Sequence, residues 1–141
     1  MLCIGLALLS AHAEAAGFSV FGITNISLPN LAVRIGTVTL NASTGAIGGS
    51  GFIASSAVAR GQIIISRTSA VTVSVLMIAP PANITCSGTA IPITSVPYDD
   101  TACSLIAATG ICTIYIGLVM STPSTLTPGT CVTPTLSITV G

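Results

Sequence analysis

The chain has 141 residues, of which 51% are hydrophobic and 4% are charged, and its formal net charge is zero. This length allows one domain with its own core, and the lack of net charge excludes a surface whose field attracts nucleic acid or anionic lipid. With so few charges, a lone molecule is poorly protected against association. The composition therefore favours a surface covered by neighbouring copies of the chain over a soluble monomer coated with serine and threonine.

The first fifteen residues carry the pattern of a secretory signal peptide. An apolar run covers residues 2–9, and small-x-small sites end at Ala13 and Ala15. We expect cleavage after one of these alanines, and we assign residues 16–141 to a single secreted domain. The run is too short to span a bilayer. Because no lysine or arginine precedes it, a retained apolar N-terminal segment is the alternative.

Strand patterns dominate the rest of the chain, with turn signals between them. In chain order, the predicted strands lie in FSVFGI, LAVRIGTVTL, the stretch around Phe52, GQIIISRT, AVTVSVLMI, AIPITSVPYDD, CTIYIGLVM and LSITV. The apolar pattern of LAVRIGTVTL changes phase at Gly36, which predicts a β-bulge there. GQIIISRT and AVTVSVLMI are separated by Ser69, which predicts a hairpin. Residues 101–110 predict a loop or a single helical turn.

Seven to nine short strands without a sustained helical pattern predict an all-β fold. The expected architecture is an antiparallel, immunoglobulin-like β-sandwich, because short strands with turn signals between them are typical of that fold. Threonine and serine are expected on its outer faces, where they keep strand propensity without charge.

Four cysteines lie in the second half of the chain: Cys86, Cys103, Cys112 and Cys131. An even number in an exported chain predicts two disulfides, and three pairings are possible. Cys103 and Cys112 bracket a short loop that a disulfide could close, which would leave Cys86 with Cys131. A zinc site is the competing interpretation, but there is no C-x-x-C motif, and export removes His12, the one histidine. We therefore expect no bound metal.

Catalytic chemistry has few candidate groups in this chain. Without His12, no Ser–His or Cys–His pair can form. Asp99 and Asp100 are adjacent in a turn, and neighbouring side chains on an extended chain point apart, which makes them a poor general acid and base. We therefore expect no enzymatic activity, no cofactor and no small-molecule substrate.

The last predicted strand alternates apolar and hydroxyl residues. Its apolar positions are Val132, Leu136, Ile138 and Val140, with Pro134 on the same face. One face thus suits a core and the other suits solvent. The pattern alone leaves open what lies on the other side of this strand.

Six short motifs follow one another along the chain: FGI, GTVTL, VTVSVLM, IYIGLVM, LTPGT and LSITVG. Their order resembles a family of small secreted bacterial all-β domains of unassigned function, and more broadly the fimbrial subunits of chaperone–usher pili. The resemblance covers roughly residues 18–140. It implies a pilin-like sandwich that is incomplete in one copy, and that is completed when the N-terminal segment of the next copy adds a strand.

The resemblance also implies a donor strand and a set of partners. The donor would lie at about residues 14–24, with Phe18, Val20, Phe21 and Ile23 as its apolar positions. The acceptor edge would be the terminal strand, with Val132, Leu136, Ile138 and Val140. The partners would be identical subunits in a homopolymer, with a periplasmic chaperone and an outer-membrane usher, and no nucleic acid is expected. The expected function is a structural subunit of an extracellular filament. The alternative is a self-contained secreted β-sandwich that acts as a binding or adhesion module.

Overall fold

The computed structural model describes residues 6–7, 9–13, 17–79, 83–86, 88–104, 109–125, 131–132 and 136–141. Within these residues the chain is almost entirely β-structure, and a single short helix interrupts it. The all-β sandwich with antiparallel sheets that the sequence predicts is therefore confirmed. The elements are β1 (Leu6–Ala7), β2 (Leu9–Ala13), β3 (Phe18–Thr24), β4 (Ile26–Ser27), β5 (Ala32–Val33), β6 (Gly36–Leu40), β7 (Ile47–Gly48), β8 (Phe52–Ala54), β9 (Gly61–Arg67), β10 (Val75–Ala79), β11 (Asn83–Cys86), β12 (Thr89–Ser95), β13 (Tyr98–Asp99), α1 (Thr101–Ser104), β14 (Gly110–Ile116), β15 (Leu118–Thr122), β16 (Cys131–Val132) and β17 (Leu136–Val140).

These strands form three larger sheets and two short strand pairs in the described part of the chain. The four-stranded sheet has the order β13-β14-β9-β3, and the six-stranded sheet has the order β16-β11-β12-β15-β6-β7. The three-stranded sheet has the order β10-β17-β2, while β1 pairs with β4 and β5 pairs with β8. Among these described pairings, only that of β17 with β2 is parallel.

One hydrophobic core joins the three larger sheets. Alternate residues of β9, β14 and β17 point into it, as the period of two in a half-buried strand requires. Ile63, Ile114 and Ile138 are completely buried there, and β6, β15 and β12 add Val38, Leu118 and Ile91. Each fully buried aliphatic side chain stabilises the fold by about 1.5–3 kcal/mol.

Two runs that look continuous in the sequence are divided between sheets. CTIYIGLVM forms β14 and β15 on either side of Gly117, where a Cβ atom would collide with the carbonyl oxygen of Leu40. LAVRIGTVTL forms β5 and β6, and Gly36 starts the second strand with a φ of 149°, a conformation that favours glycine. Ile35, between the two strands, is exposed. The phase change at Gly36 therefore marks a change of sheet, and the bulge predicted within one strand is wrong.

The hairpin predicted around Ser69 is also wrong. β9 pairs with β14 and β3, whereas β10 pairs with β17. The segment between β9 and β10 bonds to other parts of the chain instead of closing a turn. The amides of Thr68 and Ser69 donate to the carbonyl oxygen of Gly17 at 2.8 and 3.3 Å, and the amide of Val73 donates to that of Cys103 at 2.9 Å. Residues 68–74 thus carry the chain from one sheet to another.

Candidate assembly edge at the terminal strand

The terminal strand β17 lies between two neighbours. On one side it pairs antiparallel with β10, and on the other it pairs in parallel with β2, in the register Leu136↔Leu9 to Val140↔Ala13. Its inward residues, Leu136, Ile138 and Val140, are buried, while the residues between them are half-buried. In this structure of one chain, the place beside the terminal strand is thus filled by the chain's own N-terminal segment.

Val132 does not belong to the same strand as the other predicted acceptor residues. It lies in β16, where it pairs with Thr85 of β11 in the six-stranded sheet. Leu136, Ile138 and Val140 lie in β17 of the three-stranded sheet. The run predicted as one strand therefore supplies two strands to two sheets, and residues 133–135 between them lie outside the described part.

The predicted donor residues lie in β3, which is an edge strand of the four-stranded sheet. Phe18 is buried and Val20 is half-buried, opposite Arg67 and Ile65 of β9. The register with β9 shifts between Val20 and Gly22, and such a bulge redirects side chains at a sheet edge. Phe21 is 68% exposed and Ile23 is 40% exposed. Residues 14–16 of the predicted donor segment lie outside the described residues.

The strand that lies beside β17 is β2, which the sequence assigns to the predicted signal peptide. The boundary predicted after Ala13 or Ala15 falls at or just beyond the end of β2. Cleavage at either site would remove β2 from the exported chain. The alternative of a retained apolar N-terminal segment keeps it.

The first residue of β10 and the residue before it are hydrogen-bonded to two other parts of the chain. The main chains of Ser74 and Gly141 bond to each other in both directions, at 2.9 and 3.0 Å. The amide of Val75, the first residue of β10, donates to Oδ2 of Asp100 at 3.1 Å. The buried Arg67 side chain donates through Nη1 to the carbonyl oxygen of Cys103 at 3.4 Å. The region where β10 begins, beside the terminal strand, is therefore bonded to α1 and to Asp100, the residue before α1.

A disulfide joins Cys103 in α1 to Cys112 in β14, with a Cα–Cα distance of 5.3 Å. This confirms one of the predicted pairs, and it fixes α1 to the four-stranded sheet. Cys86 is also disulfide-bonded, and its Cα partner on the adjacent strand is Cys131. The Cys86–Cys131 pairing stays a prediction, because the side chain of Cys131 lies outside the described part.

Arg60 organises a polar cluster at one end of the four-stranded sheet. Its guanidinium carbon lies 3.5 Å from the centre of the Tyr115 ring, and Nη1 donates to the carbonyl oxygens of Ala42, at 2.6 Å, and Ser43. Such a cation–π contact stabilises a protein by about 0.5–2 kcal/mol. The cluster connects the turn after β6 to β14, so its role is to join elements of the fold.

Asp99 extends this cluster on the surface. Hydrogen bonds from the side chain and amide of Thr101 lower the pKa of its carboxyl group, and Ser43 and the charge of Arg60 add to the shift. The amide of Thr101 donates to Oδ1 of Asp99 at 3.1 Å. Asp99 therefore favours the turn that starts α1 while its carboxyl group is ionised.

In the described residues, no group of three or more histidine, cysteine, aspartate or glutamate side chains lies close enough to hold a metal ion. In the same part of the chain, no helix is long and apolar enough to cross a membrane.

In comparisons with known proteins, no family model, no curated protein and no solved structure matches the chain. The resemblance to fimbrial subunits therefore rests on the sequence motifs alone.

Sequence reasoning missed β2 as the neighbour of the terminal strand. The apolar N-terminal run covers residues 2–9 and shares only Leu9 with β2, so it gave no direct signal for this strand. The bonds of the Arg67 side chain to Cys103 and of the Asp100 side chain to Val75 left no signal, because each joins a side chain to a main-chain group far away in sequence.

Proposed function

We propose that the chain is a structural subunit of an extracellular filament, in which the N-terminal strand of one copy pairs with the terminal strand of the next. The observation that carries this proposal is the parallel pairing of β2 with β17. Exchange of an identical element between copies is a low-cost route to assembly, because the exchanged strand makes the same contacts in its new place. Here the exchanged element would be residues 9–13, rather than residues 14–24.

The distribution of charge supports pairing between copies. The chain has six charged residues, and none lies in β2, β3, β10 or β17. Proteins that avoid edge pairing commonly place lysine or another charge on their edge strands. The edges of the three-stranded sheet, and the edge at β3, lack that protection.

The proposal sets a requirement on processing of the N-terminus. Residues 9–13 must remain in the exported subunit, since they form the donor strand. Cleavage after Ala13 or Ala15 would remove them and would contradict the proposal. The intact mass of subunits recovered from the cell surface measures this directly. Export, the chaperone and the usher are implied only by the resemblance. Testing them also requires subunits recovered from the cell surface.

A cysteine pair that locks β2 to its own β17 tests strand exchange. His12 and Thr139 are Cα partners across the parallel pair. Neighbouring strands lie about 4.8 Å apart, which is within the Cα–Cα range of a disulfide. We expect a His12→Cys/Thr139→Cys variant, oxidised as a dilute monomer, to stay monomeric. Adding a thiol reductant should restore assembly, seen as heat-resistant ladders on a denaturing gel and as filaments in negative stain.

Two single-cysteine variants serve as matched controls for this test. The single variants His12→Cys and Thr139→Cys cannot form the lock and should assemble like the wild-type chain. If the oxidised double variant assembles as well as the single variants, exchange of residues 9–13 is contradicted.

The second candidate is a self-contained β-sandwich that acts as a binding module. One observation favours it: a single chain already places its own β2 beside β17 and its own β3 beside β9. Under this alternative the purified, full-length chain stays monomeric at every concentration, with or without a reductant. Sedimentation analysis over a wide concentration range distinguishes the two candidates.

A further inference from the structure

We propose that the exposed edge of β3, defined by Phe21 and Ile23, is a contact surface for the neighbouring copy in the assembly. This inference rests on the proposed exchange of β2 and adds a second surface to it. The two side chains are 68% and 40% exposed in the single chain, although both are large and apolar. In the described structure β3 forms a ladder only with β9, so no second strand is hydrogen-bonded to it there.

The short connection between β2 and β3 limits how far apart two copies can lie. Four residues, 14–17, separate Ala13 at the end of β2 from Phe18 at the start of β3. A fully extended chain rises at most about 3.6 Å per residue, so the Cα atoms of Ala13 and Phe18 lie within about 18 Å of each other. A donor that places its β2 in another copy must therefore bring its own β3 to that copy's surface.

The single chain shows what lies at that surface. β2 lies against β3 of the same chain. A donated β2 takes this place beside the acceptor's β17, so it also lies against the acceptor's β3. The β3 strands of donor and acceptor thus approach each other, and the occupant of the Phe21–Ile23 edge is a second copy of this chain.

A fluorescent probe at position 21 tests this contact, because the chain contains no tryptophan. We expect the emission of a Phe21→Trp variant to shift to shorter wavelength on assembly, as the indole leaves water. An Ile35→Trp variant is the matched control, since Ile35 is 71% exposed and lies between β5 and β6, outside β2, β3 and β17. Its emission should stay unchanged.

A substitution that shortens the side chain tests whether the contact contributes to assembly. Burying a phenylalanine side chain is favourable enough that Phe21→Ser should raise the concentration needed for assembly at least about tenfold. Ile35→Ser should leave that concentration unchanged. The urea midpoint of each monomeric variant checks that the domain still folds.

The outcomes separate this inference from the proposed function. The β3 contact is overturned if the chain assembles while the indole at position 21 stays exposed to solvent. It is also overturned if Phe21→Ser and Ile35→Ser change the concentration needed for assembly equally. Both outcomes leave the proposed strand exchange unaffected. A wavelength shift in both tryptophan variants indicates non-specific association and also overturns the β3 contact. A wild-type chain that stays monomeric overturns both proposals.

Discussion

Ser74 and Gly141 bond to each other through both of their main-chain groups: each amide donates to the other's carbonyl oxygen, at 2.9 and 3.0 Å. This pair extends the ladder between β10 and β17 by one step beyond Val75 and Val140. The terminal strand is therefore paired on the β10 side from Ser137 to Gly141. On its other side, the parallel strand β2 is the neighbour that could be exchanged.

The buried face of the terminal strand should dominate its contribution to stability. Ile138 is completely buried, whereas Thr139 is half-buried on the opposite face. We expect Ile138→Ala to lower the free energy of unfolding by about 2–5 kcal/mol, because it leaves a cavity in the core. Thr139→Ala should cost less than about 1 kcal/mol. Urea denaturation measures both values, and equal losses would contradict the assigned burial of the two faces.

The disulfide between Cys103 and Cys112 should stabilise the fold by closing a short loop. The two residues are nine apart in sequence, for which the chain-entropy model gives about 2–3 kcal/mol. We expect a Cys103→Ser/Cys112→Ser variant to lose that amount in urea denaturation. Ala102→Ser, an exposed change in the same helix, should remain within about 0.5 kcal/mol of wild type. A double serine variant as stable as the Ala102→Ser control would be inconsistent with this role.

The contact between Arg60 and Tyr115 should be measurable as a coupling energy. In a double-mutant cycle with Arg60→Gln and Tyr115→Leu, we expect a coupling of about 0.5–2 kcal/mol. Arg60→Gln alone should cost more than the coupling, because the guanidinium also bonds the carbonyl oxygens of Ala42 and Ser43. Additive effects of the two substitutions would show that the ring and the guanidinium do not interact.

Asp99 should make stability depend on pH in the acid range. Its pKa in the folded chain is lowered, first by the hydrogen bond from the Thr101 side chain, so the folded state binds its proton less readily than the unfolded state. The stabilisation is therefore present above the unfolded value of about 3.9, and it is lost as pH falls from there through the folded pKa.

An Asp99→Asn variant isolates this contribution. Asparagine keeps an oxygen that can accept the bond from the Thr101 amide, but it does not titrate. We expect the unfolding free energy of the wild-type chain to fall more steeply below about pH 4 than that of the variant. Parallel slopes in urea titrations at several pH values would rule out a role for Asp99.

The sequence was most informative where a period of two coincides with burial. The runs that contain β9, β14 and β17 form strands as predicted, and the alternation expected in the last run matches the burial of Leu136, Ile138 and Val140. The pair Cys103–Cys112 follows from the short loop between the two cysteines. These features depend on residues close together in the chain. A local pattern is enough to identify them.

The partners of strands could not be derived in the same way. β9 and β10 look like the arms of a hairpin, yet they belong to different sheets, because Thr68, Ser69 and Val73 bond to Gly17 and Cys103 instead of to each other. The donor segment was likewise placed in β3, which pairs with β9, while β2 takes the position beside β17. Alternation defines which face of a strand is buried, but it does not identify the neighbouring strand.

The central claim is tested most directly by determining which copy of the chain supplies the strand beside β17 in the assembled protein. One batch of the His12→Cys/Thr139→Cys variant is labelled with ¹⁴N and another with ¹⁵N. The two batches are mixed under reducing conditions, assembled and then oxidised. Mass spectrometry identifies the peptides that are joined through positions 12 and 139. We predict cross-linked peptides that combine a light and a heavy partner, because the N-terminal strand of one copy pairs with the terminal strand of another. Cross-links found only between partners of equal isotope label would show that each copy keeps its own strand, and would contradict the account.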